Sequence, residues 1–529
     1  MKYFLKVHIL ERVRLFFIYI TRLLGKKNFN SIDTQKKKFL FNTQYIWAFS
    51  ELEFMTAAQL QLYGHEAIVV ICDGLPYSER EIFDLPKIRS YKSCLNRTKR
   101  YCKAYGLKYI TINSYLDEDD IFKAKELSSQ NLKSITSYSK NHINLGDYAK
   151  RNHSHYYKGD IRPTGEYEKI YRDAFQSAYL VERAFSKILS EYSEYQLVCA
   201  NGKFIQTGIP IEICKNLETS FYTYEVFRQG NGVLLDKNRC SLEQNIDAVW
   251  DELKSSSLSD DKKKKLYHSF DLQQKSISLE EALWDENRID DDDEIISLLG
   301  LDLTKKIFAC YPNVYWDSVH MGMDAVSEDL TSWLEDMVNF AKSNQDIQLV
   351  IRTHPAELKV ASIIQSKHTM SDSLNDRFEN LPSNVWIIEP KSNISSYSLA
   401  RIADANLVWN GTIGLELALR GIKPVVIADS YYSRKGFTVD FLNFEELANY
   451  LLTTESKPFV DNEEKRLLEI FCYHIRFNRK FNPPYYKREW CYMYNHSDIQ
   501  PGKNKTLDNM TGFFLDKNSY MKIGKFNFE

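Results

Sequence analysis

Cys-x-x-Cys pairs are absent from this chain; its nine cysteines are scattered at 72, 94, 102, 199, 214, 240, 310, 472 and 491. An odd, dispersed set of thiols argues against a disulfide frame and for a reduced, cytoplasmic setting. Cys72, Cys94 and Cys102 lack the closely spaced ligand pairs of zinc sites, so no metal is expected there. Glycine and proline are sparse, at 20 and 13 of 529 residues, which excludes low-complexity and largely disordered architectures. An excess of either charge is also missing. The formal balance of −2 is not that of a wholesale nucleic-acid binder, and no nucleic-acid partner is expected. The apolar run Leu15–Ile20 near the start is too short to cross a bilayer. No small-residue cleavage site accompanies it, which argues against a secretory signal.

What is present begins with that N-terminal stretch, "VHILERVRLFFIYITRLLGKK". Basic residues around an apolar run predict a basic amphipathic helix over 1–30, either lying peripherally on an anionic membrane or docked on its own domain. Hydrophobic residues make up 43% of the chain, ample for buried cores, and the length favours two domains. "FLFNTQYIWAF", "AIVVIC", "GLKYITI", "YQLVCANG" and "TSFYTYE" read as strands separated by helical stretches. They predict a first Rossmann-like domain over 31–250. Residues 251–300 carry charge blocks, "DDKKKK" and "DENRIDDDDE", and read as a linker with surface helices. The alternation resumes over 301–460 with "KIFACYP", "IQLVIRTHP", "NVWIIEP", "ANLVWN" and "KPVVIA", a second Rossmann-like domain. A helical, aromatic-rich tail over 461–529 crosses back onto the first domain. The expected fold is α/β, two doubly wound domains facing a cleft, the GT-B architecture.

In open α/β sheets ligands sit outside the carboxyl ends of strands, so residues there carry the functional reading. "PNVYWDS" supplies Asn313, Trp316 and Asp317 after one strand. "RTHP" supplies Arg352 and His354; Pro355 ends the strand and restricts His354 to an extended backbone. Arg352 is expected to pair bidentately with a diphosphate. His354 is expected to donate to the leaving group as it gains charge. "EPKSNISS" brings Ser395 and Ser396, and "NGTIGLE" brings Asn410, Gly411, Thr412, Gly414 and Glu416. Glycines at a helix start let a backbone approach a phosphate. Glu416 lies one residue beyond the position a capping box would use, which leaves a ribose-binding role for it.

At "NVYWDS", "LVIRTHPAE", "SNISSYSLARIADANLVWNGTIGLELALRGIKPVVIA" and "YYSRKGFT" the chain resembles the capsule polysaccharide biosynthesis proteins, the broad group that includes the Kdo transferases of capsule assembly. The likeness covers roughly residues 305–440 well. It implies a GT-B glycosyltransferase with no tightly bound metal and no cofactor, the nucleotide-sugar being the substrate. The donor nucleotide would sit on Arg352, Ser395, Ser396, Asn410, Gly411, Thr412, Gly414 and Glu416, with His354 and Asp317 catalytic. The acceptor would be a surface polysaccharide or glycolipid. Glu51, Glu53 and Asp73 are further base candidates in the first half. The same strand-end elements occur in CDP-glycerol phosphotransferases of teichoic-acid synthesis, and the two-domain fold occurs in nucleotide-sugar epimerases. Both remain alternatives, as does a non-catalytic scaffold.

Overall fold

A computed structural model describes residues 2–25, 36–43, 47–76, 91–160, 162–227, 232–275, 288–323, 325–358, 365–483, 486–487, 490–491 and 493–517. Two domains form. The first comprises residues 1–153, 163–244 and 478–529, and the second 154–162 and 245–477.

The first domain is built on β1 (Lys38–Asn42), β2 (Glu66–Ile71), β3 (Lys108–Thr111), β4 (Gln196–Ala200), β5 (Phe221–Phe227) and β6 (Gly232–Lys237). Their spatial order is β3-β2-β1-β4-β5-β6. All neighbours run parallel except β6, which turns back antiparallel to β5. Phe39, Phe41, Val69, Ile71, Val198, Tyr222 and Tyr224 alternate onto one face. There they bury against helices Trp47–Leu62, Tyr91–Tyr105 and Lys505–Phe514. The last of these comes from the tail and is tied down by the Tyr222 hydroxyl, which donates to the Phe514 carbonyl (3.1 Å).

The second domain repeats the order with β7 (Lys306–Tyr311), β8 (Ile347–Arg352), β9 (Val385–Ile388), β10 (Ala405–Val408), β11 (Val425–Val426) and β12 (Val439–Asp440). The sequence is β9-β8-β7-β10-β11-β12, wholly parallel. Buried parallel strands carry apolar side chains on both faces. Phe308, Cys310, Leu349, Ile351 and Leu407 meet Trp333, Leu334 and Met337 of helix Leu330–Ser343. Ile307, Ala309, Tyr311 and Val350 meet Ile295, Leu399 and Leu417 on the opposite side. Both domains are thus Rossmann-like.

The described residues of 251–300 belong to the second domain. Helices Asp247–Leu253 and Asp260–Lys275 belong to the second domain and cover helix Asn462–Tyr473. Trp250 packs on Phe471 (5.8 Å between rings), Lys263 pairs with Glu469 (2.9 Å), and Lys262 and Lys265 lie over Tyr473 and Phe477. Lys262, Lys264 and Lys265 stay exposed, as a surface helix requires, and only the folded chain gives Lys262 and Lys265 their ring partners. The tail divides: residues 461–477 stay with the second domain and the chain from Asn478 joins the first.

Candidate functional site

Register decides which strand ends meet. Tyr311 of β7 lies level with Val408 of β10, and Cys310 lies level with Ile351 of β8. Asn313 and Asn410 stand two residues beyond the first level, and Asn313 and His354 three beyond the second, so three adjacent strands carry them at one level. The gap between β7 and β10 is also where the strand order reverses direction. That switch point is the ligand crevice of a doubly wound sheet. Asn313 bridges it, its Nδ2 donating to Asn410 Oδ1 (3.1 Å) and more distantly to Asp317 Oδ2 (3.4 Å). Asp317 also caps the turn Ser318–His320, its Oδ1 accepting from the Val319 amide (3.2 Å). Asn313 and Asn410 are buried, whereas Asp317 is half-buried.

His354 has the extended backbone that Pro355 demands (φ −74°, ψ 125°) and is itself half-buried. Its Nδ1 accepts from the Ala356 amide (3.0 Å). That bond fixes the neutral ring with its proton on Nε2, the form able to donate.

Arg352 does not fill the expected diphosphate role. It is buried, and its Nη1 donates to the carbonyls of Thr353 (3.0 Å) and Glu389 (2.9 Å), its Nη2 to that of Ser392 (3.3 Å). Burial pulls its pKa down to about 10. The fork ties β8 to the loop after β9, on the side of β8 away from the switch point. A strand-end arginine reads the same in sequence whether it faces a ligand or a loop.

Ser395 is engaged by its own helix, and Ser396 is bonded through its backbone carbonyl. Ser395 caps helix Ser396–Ile402, its hydroxyl accepting from the Ser398 amide (3.3 Å), and is buried. The Ser396 carbonyl accepts from the Tyr311 hydroxyl (3.2 Å).

The two glycines of "NGTIG" differ. A Cβ on Gly411 would meet nothing nearer than Ile413 Cγ2 at 3.5 Å, so its backbone has open space on that side. A Cβ on Gly414 would lie 2.5 Å from the Tyr432 hydroxyl, so that glycine is required by its neighbour rather than by a ligand. Thr412 is exposed, and its hydroxyl donates to Glu416 Oε1 (3.1 Å). The other Glu416 oxygen accepts from the Tyr397 hydroxyl. Arg420 stacks on the Tyr397 ring at 4.0 Å and donates to the Glu416 carbonyl (2.8 Å). Burial and the Glu416 carboxylate push the Tyr397 pKa upward, keeping the phenol protonated as a donor. A carboxylate accepts about four hydrogen bonds, so each Glu416 oxygen retains capacity for another hydroxyl.

Nothing in the sequence pointed to Lys158, which sits in "YYKGD" without periodicity or motif. It adopts a left-handed backbone (φ 55°) and is only 5% exposed. Its Nζ donates to the His155 carbonyl (2.6 Å) and lies 5.2 Å from the Trp316 ring centroid. His155 in turn donates from Nδ1 to the Trp316 carbonyl (3.1 Å), so this distant segment grips the loop next to Asp317. Burial, with Lys367 nearby, lowers the Lys158 pKa to about 7. Glu357, three residues after His354, is buried too. Its Oε1 accepts from the Met370 amide (2.9 Å), while Oε2 has no hydrogen-bond partner among the described residues. Burial, with Glu389 and Asp372 nearby, raises its pKa to about 8.

The first-domain base candidates are engaged elsewhere. Glu51 pairs with Arg14 (2.7 Å), Glu53 accepts from Thr43 and Tyr224, and Asp73 accepts from the Asn113 amide (2.8 Å). No group of three or more His, Cys, Asp or Glu side chains among the described residues has metal-holding geometry.

No family model and no curated protein matches the chain. Solved structures do match it. A KpsC beta Kdo 2,7 transferase of Thermosulfurimonas dismutans is 14% identical over 55% of this chain and 79% of that one, with a TM-score of 0.29. The glycosyltransferase SnogD of Streptomyces nogalater is 10% identical over 84% and 96%, with a TM-score of 0.21. A UDP-GlcNAc 2-epimerase of Neisseria meningitidis is 12% identical over 91% and 99%, with a TM-score of 0.20. At scores this low, fold and site stand on this chain's own strand order and residues.

Proposed function

We propose that the chain is a GT-B, metal-independent glycosyltransferase. It would transfer a sugar from a nucleotide-activated donor to a capsule-type polysaccharide or glycolipid acceptor. The observation that carries this reading is the row of His354, Asn313 and Asn410 at the switch point of the second sheet, with Asp317 bonded to one end and Glu416 on the following helix. Phosphate oxygens of the donor need hydrogen-bond donors at a strand end, and the row supplies the Asn410 amide and the His354 imidazole. The ribose hydroxyls need a carboxylate, which Glu416 supplies beside Thr412 and Tyr397.

In the reaction an acceptor oxygen attacks the anomeric carbon while the bond from that carbon to the nucleotide's phosphate oxygen breaks. Asp317 takes the acceptor proton, and His354 Nε2–H stabilises the charge that collects on the departing nucleotide. The resemblance to the capsule polysaccharide proteins at these same motifs supports the acceptor class.

The test is thermal unfolding against CMP, CDP, UDP and GDP, followed by donor turnover with the nucleotide that stabilises. A nucleotide at a hundred times its Kd raises stability by about 2.7 kcal/mol. Stabilisation by one of them that Glu416→Ala removes is the expected outcome. Absence of any shift, or conversion of the donor sugar to its epimer, overturns the reading.

A further inference from the structure

The N-terminal helix, Lys2–Leu24, is turned inside out for a helix in water. A surface helix normally buries its apolar stripe and exposes its charges. Here Glu11 and Arg14 point inward, 3% and 1% exposed. Arg14 grips Glu51 with both terminal nitrogens (2.8 and 2.7 Å), and Glu11 accepts from Arg97 and the Tyr101 hydroxyl (2.6 Å each). Leu15 and Ile18 share that inner face and enter the first domain's core. At 3.6 residues per turn, Leu10, Val13, Phe17 and Leu24 fall on the opposite side, with Phe16 and Leu23 flanking them. All six are exposed, Phe16 by 59% and Leu24 by 82%.

The helix cannot swing round to hide this stripe, because its inner face is held. Besides the two ion pairs, Arg22 Nε donates to the Ala104 carbonyl (3.1 Å) and the His496 amide donates to the Thr21 hydroxyl (2.9 Å). The exposed charge on the helix itself has one sign. Glu11 is the only carboxylate in residues 2–24, and it is buried against Arg97. Arg12 is exposed, and burial together with the Arg12 charge pulls the Arg100 pKa downward. Arg22 and Lys103 both lie over the Tyr19 ring, 5.5 and 5.6 Å from its centre. Gathering like charges beside exposed phenylalanines costs free energy that an anionic, partly apolar surface returns.

We propose that this face rests on a bilayer bearing anionic headgroups, with the six apolar side chains entering the headgroup–acyl boundary and the arginines meeting lipid phosphates. No helix among the described residues is long and apolar enough to cross a membrane, so the helix lies on the surface. The proposal does not depend on the transfer reaction. It specifies which face binds, where the sequence left lipid contact and docking as alternatives: the same helix does both, with opposite sides.

The full chain is floated with vesicles of equal parts phosphatidylglycerol and phosphatidylcholine, and with phosphatidylcholine alone. The mixed vesicles carry the chain and the neutral ones retain little. Phe16→Ser with Phe17→Ser lowers the bound fraction at least tenfold. Arg12→Gln lowers it about fivefold, as does high salt. Because these positions are exposed, thermal unfolding stays unchanged. In a second measurement, Phe16→Trp fluorescence shifts to the blue when mixed vesicles are added. Equal flotation of the chain and the double variant overturns the proposal, as does equal binding to neutral vesicles. So does a dimer in light scattering that the double variant dissolves without any vesicle binding, since a second copy would then be what covers the face.

Discussion

The two sheets share one strand order and use their switch points differently. In the first domain the residues at the end of β1 are absorbed by the interior, while Asn201 after β4 is half-buried and donates to Glu225 (3.1 Å). Asn42 donates to the Gln206 carbonyl, while Thr43 and Tyr224 both donate to Glu53. None of Asn42, Thr43, Glu53 and Tyr224 is more than 2% exposed. In the second domain Asn313 and Asn410 are bonded across the same gap, yet Asp317 and His354 remain half-buried and Thr412 is exposed. Topology creates a crevice at the switch point in both sheets. The side chains that follow the strands decide whether it is filled or left for a ligand.

The largest effect that tests this contrast lies in the first domain. Glu51→Ala strands Arg14 as an uncompensated buried cation and lowers stability by about 3–5 kcal/mol. Urea unfolding checks it, and nucleotide binding by the remaining folded protein should be unchanged. Lost turnover without lost stability would make the first domain's polar groups functional and erase the contrast.

In the second domain the effects should fall on function. On the proposed reaction, His354→Ala removes a donor to charge developing in the transition state and should cost about 2.7–4 kcal/mol, or a hundred- to thousand-fold in kcat. Donor Kd should hardly move. Glu416→Ala should do the reverse, weakening nucleotide binding about tenfold with kcat preserved, because ribose does not change during the reaction. Near-normal turnover of His354→Ala would make His354 simply the cap of its turn.

Two buried groups sharpen the comparison through pH. Glu357 is held up to about 8 from an ordinary 4.5, so the folded chain keeps a proton that the unfolded chain has lost. Its stabilisation is complete below about pH 4.5 and disappears as pH rises through 8. Lys158 is pulled down to about 7 from 10.5, so the unfolded chain holds the extra proton. Its contribution is complete above about pH 10.5 and is lost as pH falls through 7. Stability of the second domain should therefore decline from pH 5 to 7 and recover above pH 8, by on the order of 3 kcal/mol each way. Glu357→Gln should flatten the decline and Lys158→Met the recovery, both read from unfolding midpoints.

The smallest expected effect separates the two glycines. Gly414→Ala drives a methyl group to 2.5 Å from the Tyr432 hydroxyl and should cost about 1–3 kcal/mol of stability. Gly411→Ala has room and should stay within about 0.5 kcal/mol, while weakening nucleotide binding if the ligand approaches that backbone.

The sequence by itself determined the two runs of alternating strands and helices, because continuous apolar strands bounded by helical stretches leave few arrangements but doubly wound sheets. It also determined the extended backbone at His354, which Pro355 imposes by local sterics. Only the tertiary structure decided what these side chains meet. Register brought Asn313 level with Asn410 and His354, and no local pattern encodes register between strands nearly a hundred residues apart. Folding turned Arg352 toward the carbonyls of the loop after β9, set the exposed Lys262 and Lys265 over the Tyr473 and Phe477 rings, and laid Lys158 against Trp316 from a segment far away in the chain. It also turned Glu11 and Arg14 inward and Phe16 and Phe17 outward, since helical periodicity defines the faces and only the partner defines which one is buried.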